Sequence, residues 1–203
     1  MPSLFDGLIL ASASPRRSEL LAKIGLDFQV VPSTLAELPI LDELPSAYAA
    51  RMALEKALSV ATSFSNHLVI GADTVVSMDN RILGKPRSRR DAEAMLLALS
   101  DRWHEVWTGV AIVCGRRNTE CVRVVCSEVR FRAMDPEEVA EYVATGEPMD
   151  KAGAYGIQGG ARRFVRQVKG SYHNIVGLPT IELTKMLNEV GYPLDDEQVP
   201  APR

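Results

Sequence analysis

Cysteine is scarce in this sequence: Cys114, Cys121 and Cys126 are all that occur among 203 residues. An odd count, set in apolar stretches, argues against a disulfide framework and for reduced core thiols. No pair has zinc-ligand spacing and no histidine stands in register with them, so a structural zinc is not expected. Charge of one sign is not in excess either, since 23 basic and 26 acidic side chains leave a net −3. A general nucleic-acid binder would carry a basic surplus and an array of stacking aromatics, and aromatics make up only 6% here. No apolar run approaches the roughly 20 residues of a membrane span. The N-terminus has no basic segment leading into a long apolar run, so no signal peptide is expected and the expected location is the cytoplasm. Two catalytic signatures are also missing. There is no Gly-x-x-x-x-Gly-Lys-Ser/Thr phosphate loop and no Gly-x-Ser-x-Gly nucleophile turn.

What remains is an ordinary globular composition, 46% hydrophobic and 24% charged, long enough for one well-cored domain. Leu8–Ala11 reads as a buried strand. Ser14 then caps a helix with Pro15 at its first position, and Gly25 ends it. Phe28–Val31 predicts a second strand, and Pro45 opens a long helix to about Ser63. Leu68–Ala72 predicts a central strand covered on both faces. Val75–Met78 and Arg81–Leu83 flank the hairpin turn Asp79-Asn80. A helix over Arg89–Leu99 and an antiparallel pair, Trp107–Cys114 with Val122–Phe131, follow. Asp135-Pro136 starts another helix, Phe164–Val168 is a candidate strand, and Thr180–Val190 is the last helix. The class is therefore α/β with a mixed sheet, one domain over residues 1–191, with a mobile tail expected over 192–203.

Four groups of residues carry polar chemistry. Ser12-Ala13-Ser14-Pro15-Arg16-Arg17 joins a strand to a helix start, where free N–H groups and the helix dipole make an anion site. The same pattern also describes an ordinary capped, solvated helix end. Gly71-Ala72-Asp73-Thr74 is expected to lie at the end of its strand, where α/β sheets place ligands. There Asp73 can bind Mg²⁺ or orient a water, or simply shape a turn. Glu37, Lys56 and Lys85 are each of a type that normally sits in solvent, and spacing alone does not bring them together. In Asp150–Gly159, glycines allow close backbone approach, Gln158 offers a donor and an acceptor to a base edge, and Tyr155 can stack or donate. A ligand-free glycine turn fits that segment as well. His173 is read as making a structural hydrogen bond.

Taken together and in order, Leu10–Arg17, Gly71–Thr74, Gly84-Lys85-Pro86, Asp150–Gly159 and Gly170–Pro179 resemble the Maf family of nucleoside triphosphate pyrophosphatases. The resemblance covers nearly the whole chain. It implies a mixed twisted sheet flanked by helices, with two lobes around a cleft, as in inosine triphosphate pyrophosphatases. It also implies cleavage between the α- and β-phosphates, a divalent metal (Mg²⁺ or Mn²⁺), and a homodimer. On this resemblance Asp73 is the proton acceptor or a metal ligand. Ser12, Arg16, Lys56 and Lys85 are phosphate-site residues, and Glu37 is the second acidic residue at the metal. The Asp150–Gly159 segment is similar to the branch acting on dTTP and UTP, in which the positions of Arg16, Thr74 and Gln158 govern substrate choice. A sister branch acts on 7-methyl-GTP.

The chain departs from the pattern twice. Ala36-Glu37 stands where many relatives carry an acidic pair, which leaves Asp42 and Glu43 as alternative carboxylates. Ala161-Arg162-Arg163 replaces a more glycine-rich run. Two rival functions remain at this level: a pyrophosphatase for 7-methyl-GTP or an unusual purine triphosphate such as ITP, and a cell-division regulator that acts through a partner without chemistry.

Overall fold

The computed structural model describes residues 4–37 and 40–194. In chain order, β1 (Leu8–Leu10) leads into α1 (Pro15–Lys23), then β2 (Gln29–Val30) and α2 (Pro45–Ala61). Both helices open on a proline, whose missing N–H has no partner to lose in a first turn. β3 (Leu68–Met78) turns back as β4 (Arg81–Leu83) through Asp79 and Asn80, whose φ angles of 52° and 60° are those a two-residue hairpin needs. α3 (Arg89–Leu99) precedes the long antiparallel pair β5 (Trp103–Cys114) and β6 (Thr119–Phe131). α4 (Pro136–Ala144) starts from a reciprocal capping box between Asp135 and Glu138. Three short 3-10 turns span Glu147–Phe164, and β7 (Val165–Lys169), α5 (Tyr172–Val176) and α6 (Thr180–Glu189) complete the order.

The described strands form one seven-stranded mixed sheet, in the order β2-β1-β3-β5-β6-β7 with β4 also on β3. β1 is parallel to β2 and β3, and every other pairing is antiparallel. β5 occupies one edge of β3 from Val69 to Ser77. On the other edge β1 pairs only as far as Ile70, and β4 begins only at Val76. The backbone of residues 71–75 is left open between them, and the cleft lies against this gap.

The two faces of the sheet are covered differently. On one face α2 packs through Ala49, Ala53 and Ala57, all fully buried. A Cβ at Gly71 would stand 2.1 Å from the Ala53 carbonyl oxygen, and one at Gly109 would stand 2.1 Å from that of Ala49. These two glycines therefore let the helix backbone touch the sheet. On the other face α1, α3, α4, α5 and α6 contribute to one large apolar cluster that includes Leu21, Leu96, Tyr142, Ile175 and Leu187.

The mixed α/β expectation holds, with differences in detail; β5 and β6, for instance, start earlier than expected, at Trp103 and Thr119. β3 does not stop near Ala72 but runs six residues further to Met78, because Gly71 serves helix contact and not a turn. α5 was not legible, since five residues show no helical period. Of the segment expected as a tail from Tyr192, the described part is held: the Tyr192 N–H bonds the Leu187 carbonyl at 2.9 Å, and Tyr192 and Leu194 pack on the core. Residues 195–203 lie outside the described residues. The three thiols are free, with Cys114 buried and Cys121 and Cys126 half-buried on β6. Among the described residues no helix is long and apolar enough to cross a membrane.

Candidate active site

The gap on the β3 edge opens into a cleft of about 780 Å³. That volume is in the range of small-ligand sites. One wall is the β1–α1 turn with Asp73 and Thr74; the opposite wall is the stretch from Glu147 to Gly159.

Asp73 is buried, at 6% exposure, in the middle of β3 and opposite Gly109 of β5. It does not lie beyond a strand end as the sequence predicts, and it reaches the cleft because the neighbouring edge is unpaired. On the same face as Gly71, it meets α2. Lys56 Nζ donates to Asp73 Oδ1 at 2.5 Å and to Glu37 Oε1 at 2.6 Å. The close α2 contact through Gly71 is what brings Lys56 over Asp73. Burial raises the Asp73 carboxyl above its ordinary value, against the opposing pull of Lys56 and Arg17. Burial also acts to raise Glu37, but its hydrogen bond to Lys56 and the charges of Lys56, Lys85 and Arg17 hold it below the usual carboxylate range. Tyr48, packed beside these carboxylates, is pushed up to about 12 by burial and by their negative charge.

Glu37 is thus the loop carboxylate that joins the site. Glu43 is bound to Arg51 at 2.6 Å, and Asp42 is exposed. Lys85 lines the cleft with its side chain exposed, forms no ion pair among the described residues, and stands near enough to bear on Glu37.

The phosphate-type turn divides its labour in a way the sequence did not resolve. Arg16 lines the cleft half-exposed, without a hydrogen-bond partner among the described residues. Arg17 is locked instead. Its Nε donates to the Gly177 carbonyl at 2.9 Å, Nη1 to Ser12 Oγ at 3.0 Å and Nη2 to Thr74 Oγ1 at 3.1 Å. Burial lowers its pKa, which the Asp73 charge opposes. Thr74 Oγ1 also lies 2.9 Å from Thr108 Oγ1, which donates to the carbonyl of the fully buried Asn174. Ser12 is 7% exposed and receives Ser14 N–H as well as Arg17, so it shapes the turn from behind the surface. Ser14 occupies the N-cap position of α1 without using its hydroxyl as a cap, and it faces the cleft.

On the opposite wall Gln158 is exposed and makes no hydrogen bond to the described residues. Tyr155 neither stacks outward nor offers its hydroxyl to the cleft; it is 6% exposed and bonded to His104 Nε2 at 2.8 Å. His173 Nδ1 bonds Thr180 Oγ1 at 2.7 Å, a structural contact. Arg17 and Asn174 lie in the quoted motifs and Thr108 in none, and nothing in the sequence marks the contacts they make. Only folding brings those motifs together.

Among the described residues no three His, Cys, Asp or Glu side chains gather as a metal cage. Asp73 and Glu37 do converge on one point, where the Lys56 ammonium sits. Two carboxylates are what a Mg²⁺-type ion commonly takes from protein when phosphate oxygens and water complete its shell.

Known proteins match this chain over almost its whole length. The model of the family described as Maf-like protein matches residues 7–190. The dTTP/UTP pyrophosphatase of Koribacter versatilis (strain Ellin345) is 48% identical over 185 residues, covering 91% of this chain and 95% of that protein. The protein of the same name from Dictyoglomus turgidum is 47% identical, covering 92% of this chain and 97% of that one. That of Moorella thermoacetica is 48% identical, with 89% and 93% covered. The solved structure of the Staphylococcus aureus Ham1 protein overlaps with a TM-score of 0.41 at 15% identity, over 61% of this chain and 71% of that one, a likeness too loose to bear on the site. With a match over almost its whole length and relatives of the same span, the chain belongs to the Maf-like protein family.

Proposed function

We propose that this chain is a dTTP/UTP pyrophosphatase that hydrolyses the bond between the α- and β-phosphates, releasing a nucleoside monophosphate and pyrophosphate. The name shared by its relatives supports the substrate. The observation that carries the chemistry is Asp73: a buried carboxylate of raised pKa, held by Lys56, at the head of a cleft whose rim cations Arg16 and Lys85 form no ion pair among the described residues.

Hydrolysis of a triphosphate is mainly a problem of charge and alignment. Arg16, Lys85 and the free N–H groups at the start of α1 would hold the phosphates, with Arg17 keeping that turn in register against Thr74 and Gly177. Asp73 would take the proton of the attacking water as its oxygen bonds phosphorus and the anhydride oxygen leaves on pyrophosphate. Its raised pKa makes it a stronger base than an exposed aspartate. Lys56 would keep Asp73 and Glu37 oriented in spite of their mutual repulsion. A divalent cation, Mg²⁺ or Mn²⁺, held by Asp73 and Glu37 belongs to this reading, and when bound it supplies neutralisation of the phosphate charge. Gln158, which lines the same cleft as Arg16 and Thr74 and whose amide makes no hydrogen bond among the described residues, would read the adjacent carbonyl and N–H of thymine or uracil.

The same reading carries a cytoplasmic location and a homodimer; light scattering on the purified chain checks the dimer. The function itself is tested with dTTP, UTP, 7-methyl-GTP and ITP, each with and without Mg²⁺, detecting pyrophosphate separately from phosphate. Metal-dependent release of pyrophosphate from dTTP and UTP is the expected result. Preference for 7-methyl-GTP or ITP overturns the substrate, and absence of any hydrolysis overturns the enzyme.

A further inference from the structure

The free amide of Gln158 can read a base only if the backbone beneath it is fixed. That backbone is a tight turn, closed by the Gly159 N–H to the Gly156 carbonyl at 3.0 Å. Both ends of the turn are tied to two side chains from the end of α4 and the segment just after it. Gly156 N–H donates to the Tyr142 hydroxyl at 3.3 Å, and Gly160 N–H donates to Glu147 Oε2 at 2.9 Å. The Tyr142 hydroxyl donates in turn to Glu147 Oε1 at 3.0 Å, which closes a ring of hydrogen bonds around Gln158. Tyr142 is fully buried, at 1% exposure, so the ring is anchored in the core.

The glycines of the turn are explained by the same carboxylate. A Cβ at Gly159 would lie 2.0 Å from Glu147 Oε1 and 2.5 Å from its Cδ. The backbone of Gly159, at φ −99° and ψ −150°, is extended and open to other residues, so glycine is needed there for room and not for conformation. At Gly156 a Cβ would meet the Lys151 stem at 2.8 Å, and Lys151 Nζ holds the Glu147 carbonyl at 2.7 Å.

Glu147 is also out of place on charge grounds. It is a carboxylate in the wall of a cleft that is to hold a polyanion, and it forms no ion pair among the described residues. Its two oxygens go to neutral donors of the turn and its anchor, where an ionised acceptor makes the stronger hydrogen bonds.

We propose that Glu147 and Tyr142 are a brace that aims Gln158, and so set base preference without touching the reacting phosphates. They are positioning residues. The inference rests on the dTTP/UTP reading above and extends it to how the base is chosen.

Three variants of the full chain test it: Glu147→Ala, Tyr142→Phe and Gly159→Ala. The last leaves both brace residues in place and evicts the carboxylate by its new methyl group, a displacement that a flexible glutamate side chain allows. Steady-state kinetics are measured with dTTP, UTP and dCTP, since cytosine reverses the hydrogen-bonding pattern of thymine along the edge Gln158 would read. KM for dTTP and UTP should rise about tenfold, the loss expected when one aiming hydrogen bond goes, and the preference for dTTP over dCTP should shrink by a similar factor. Inhibition by inorganic pyrophosphate should stay at the wild-type level, because the phosphate half is untouched. Glu147→Ala with Tyr142→Phe should be no worse than the poorer single variant, as expected for one shared device. Folded variants that keep the wild-type dTTP to dCTP preference, even with a lowered melting temperature, overturn the brace and leave the enzyme reading intact. Wild-type protein that turns over neither dTTP nor UTP overturns both.

Discussion

The wall that carries Asp73 is made of a strand and a helix pressed into backbone contact, whereas the wall that carries Gln158 is made of short turns tied by hydrogen bonds. In the first, Gly71 and Gly109 let the sheet and α2 approach at backbone distance at two points, and the charges meet in a buried place. In the second, Gln158 and Gly159 are exposed and order comes from Tyr142 and Glu147. The difference matches the two demands on such a cleft. Stabilising developing charge needs rigid, water-poor geometry. Recognising a base needs an exposed amide held at one angle.

The first wall should be the more costly to disturb. Lys56→Met removes the ammonium shared by Asp73 and Glu37 and leaves Asp73 buried without its hydrogen-bonded counter-charge, with only Arg17 still opposing it. Stability should fall by about 3 kcal/mol, the scale for breaking a buried ion pair, with Glu37 adding little because it is partly exposed. Turnover should drop by at least about a hundredfold. Urea denaturation and pyrophosphate release measure the two effects.

Gly71→Ala tests the helix contact itself. Its methyl group meets backbone, which cannot swing aside, so the expected loss is about 2 kcal/mol, with turnover reduced as Lys56 shifts from Asp73. Gly84→Ala is the matched control on the cleft rim, since nothing lies within 4 Å of its Cβ. It should stay within about 0.5 kcal/mol of wild type. Equal effects of the two would remove the distinction drawn for Gly71.

Beneath the second wall lies an acid-sensitive element. Burial pushes His104 down to about 4, and its ring packs between Phe131 and Tyr155 with Nδ1 unpartnered among the described residues. A histidine depressed in the folded state favours the native fold above its unfolded pKa near 6.5, and that contribution is lost as pH falls toward 4. About 2 kcal/mol of stability should go by pH 5. In His104→Gln the fall between pH 7 and pH 5 should be shallower than in wild type. Parallel stability curves for the two proteins would contradict the assignment.

Legibility in the sequence followed locality. The starts at Pro45 and Asp135-Pro136 and the Asp79-Asn80 hairpin are dictated by residues next to one another, and they stand where expected. Gly71-Ala72-Asp73-Thr74 misled because glycine and aspartate usually mark turns. Here the glycine answers to a helix that lies elsewhere in the chain. The convergence of Glu37 and Lys56 on Asp73 depends on that same contact, so spacing could not reveal it; the family resemblance suggested the residues, and folding supplied the geometry. The choice between Arg16 and Arg17 is similar. Both stand in the first turn of α1, and what distinguishes them is that Arg17 is locked on Thr74, Gly177 and Ser12 while Arg16 has no hydrogen-bond partner among the described residues.

In the proposed function Asp73 is the base, at a buried, lysine-held position. Asp73→Asn keeps the shape of the side chain while removing its charge and basicity. With dTTP, Mg²⁺ and direct detection of pyrophosphate, turnover should fall by at least about a thousandfold, while thermal melting still shows a folded protein. A folded Asp73→Asn protein that releases pyrophosphate at the wild-type rate would contradict it.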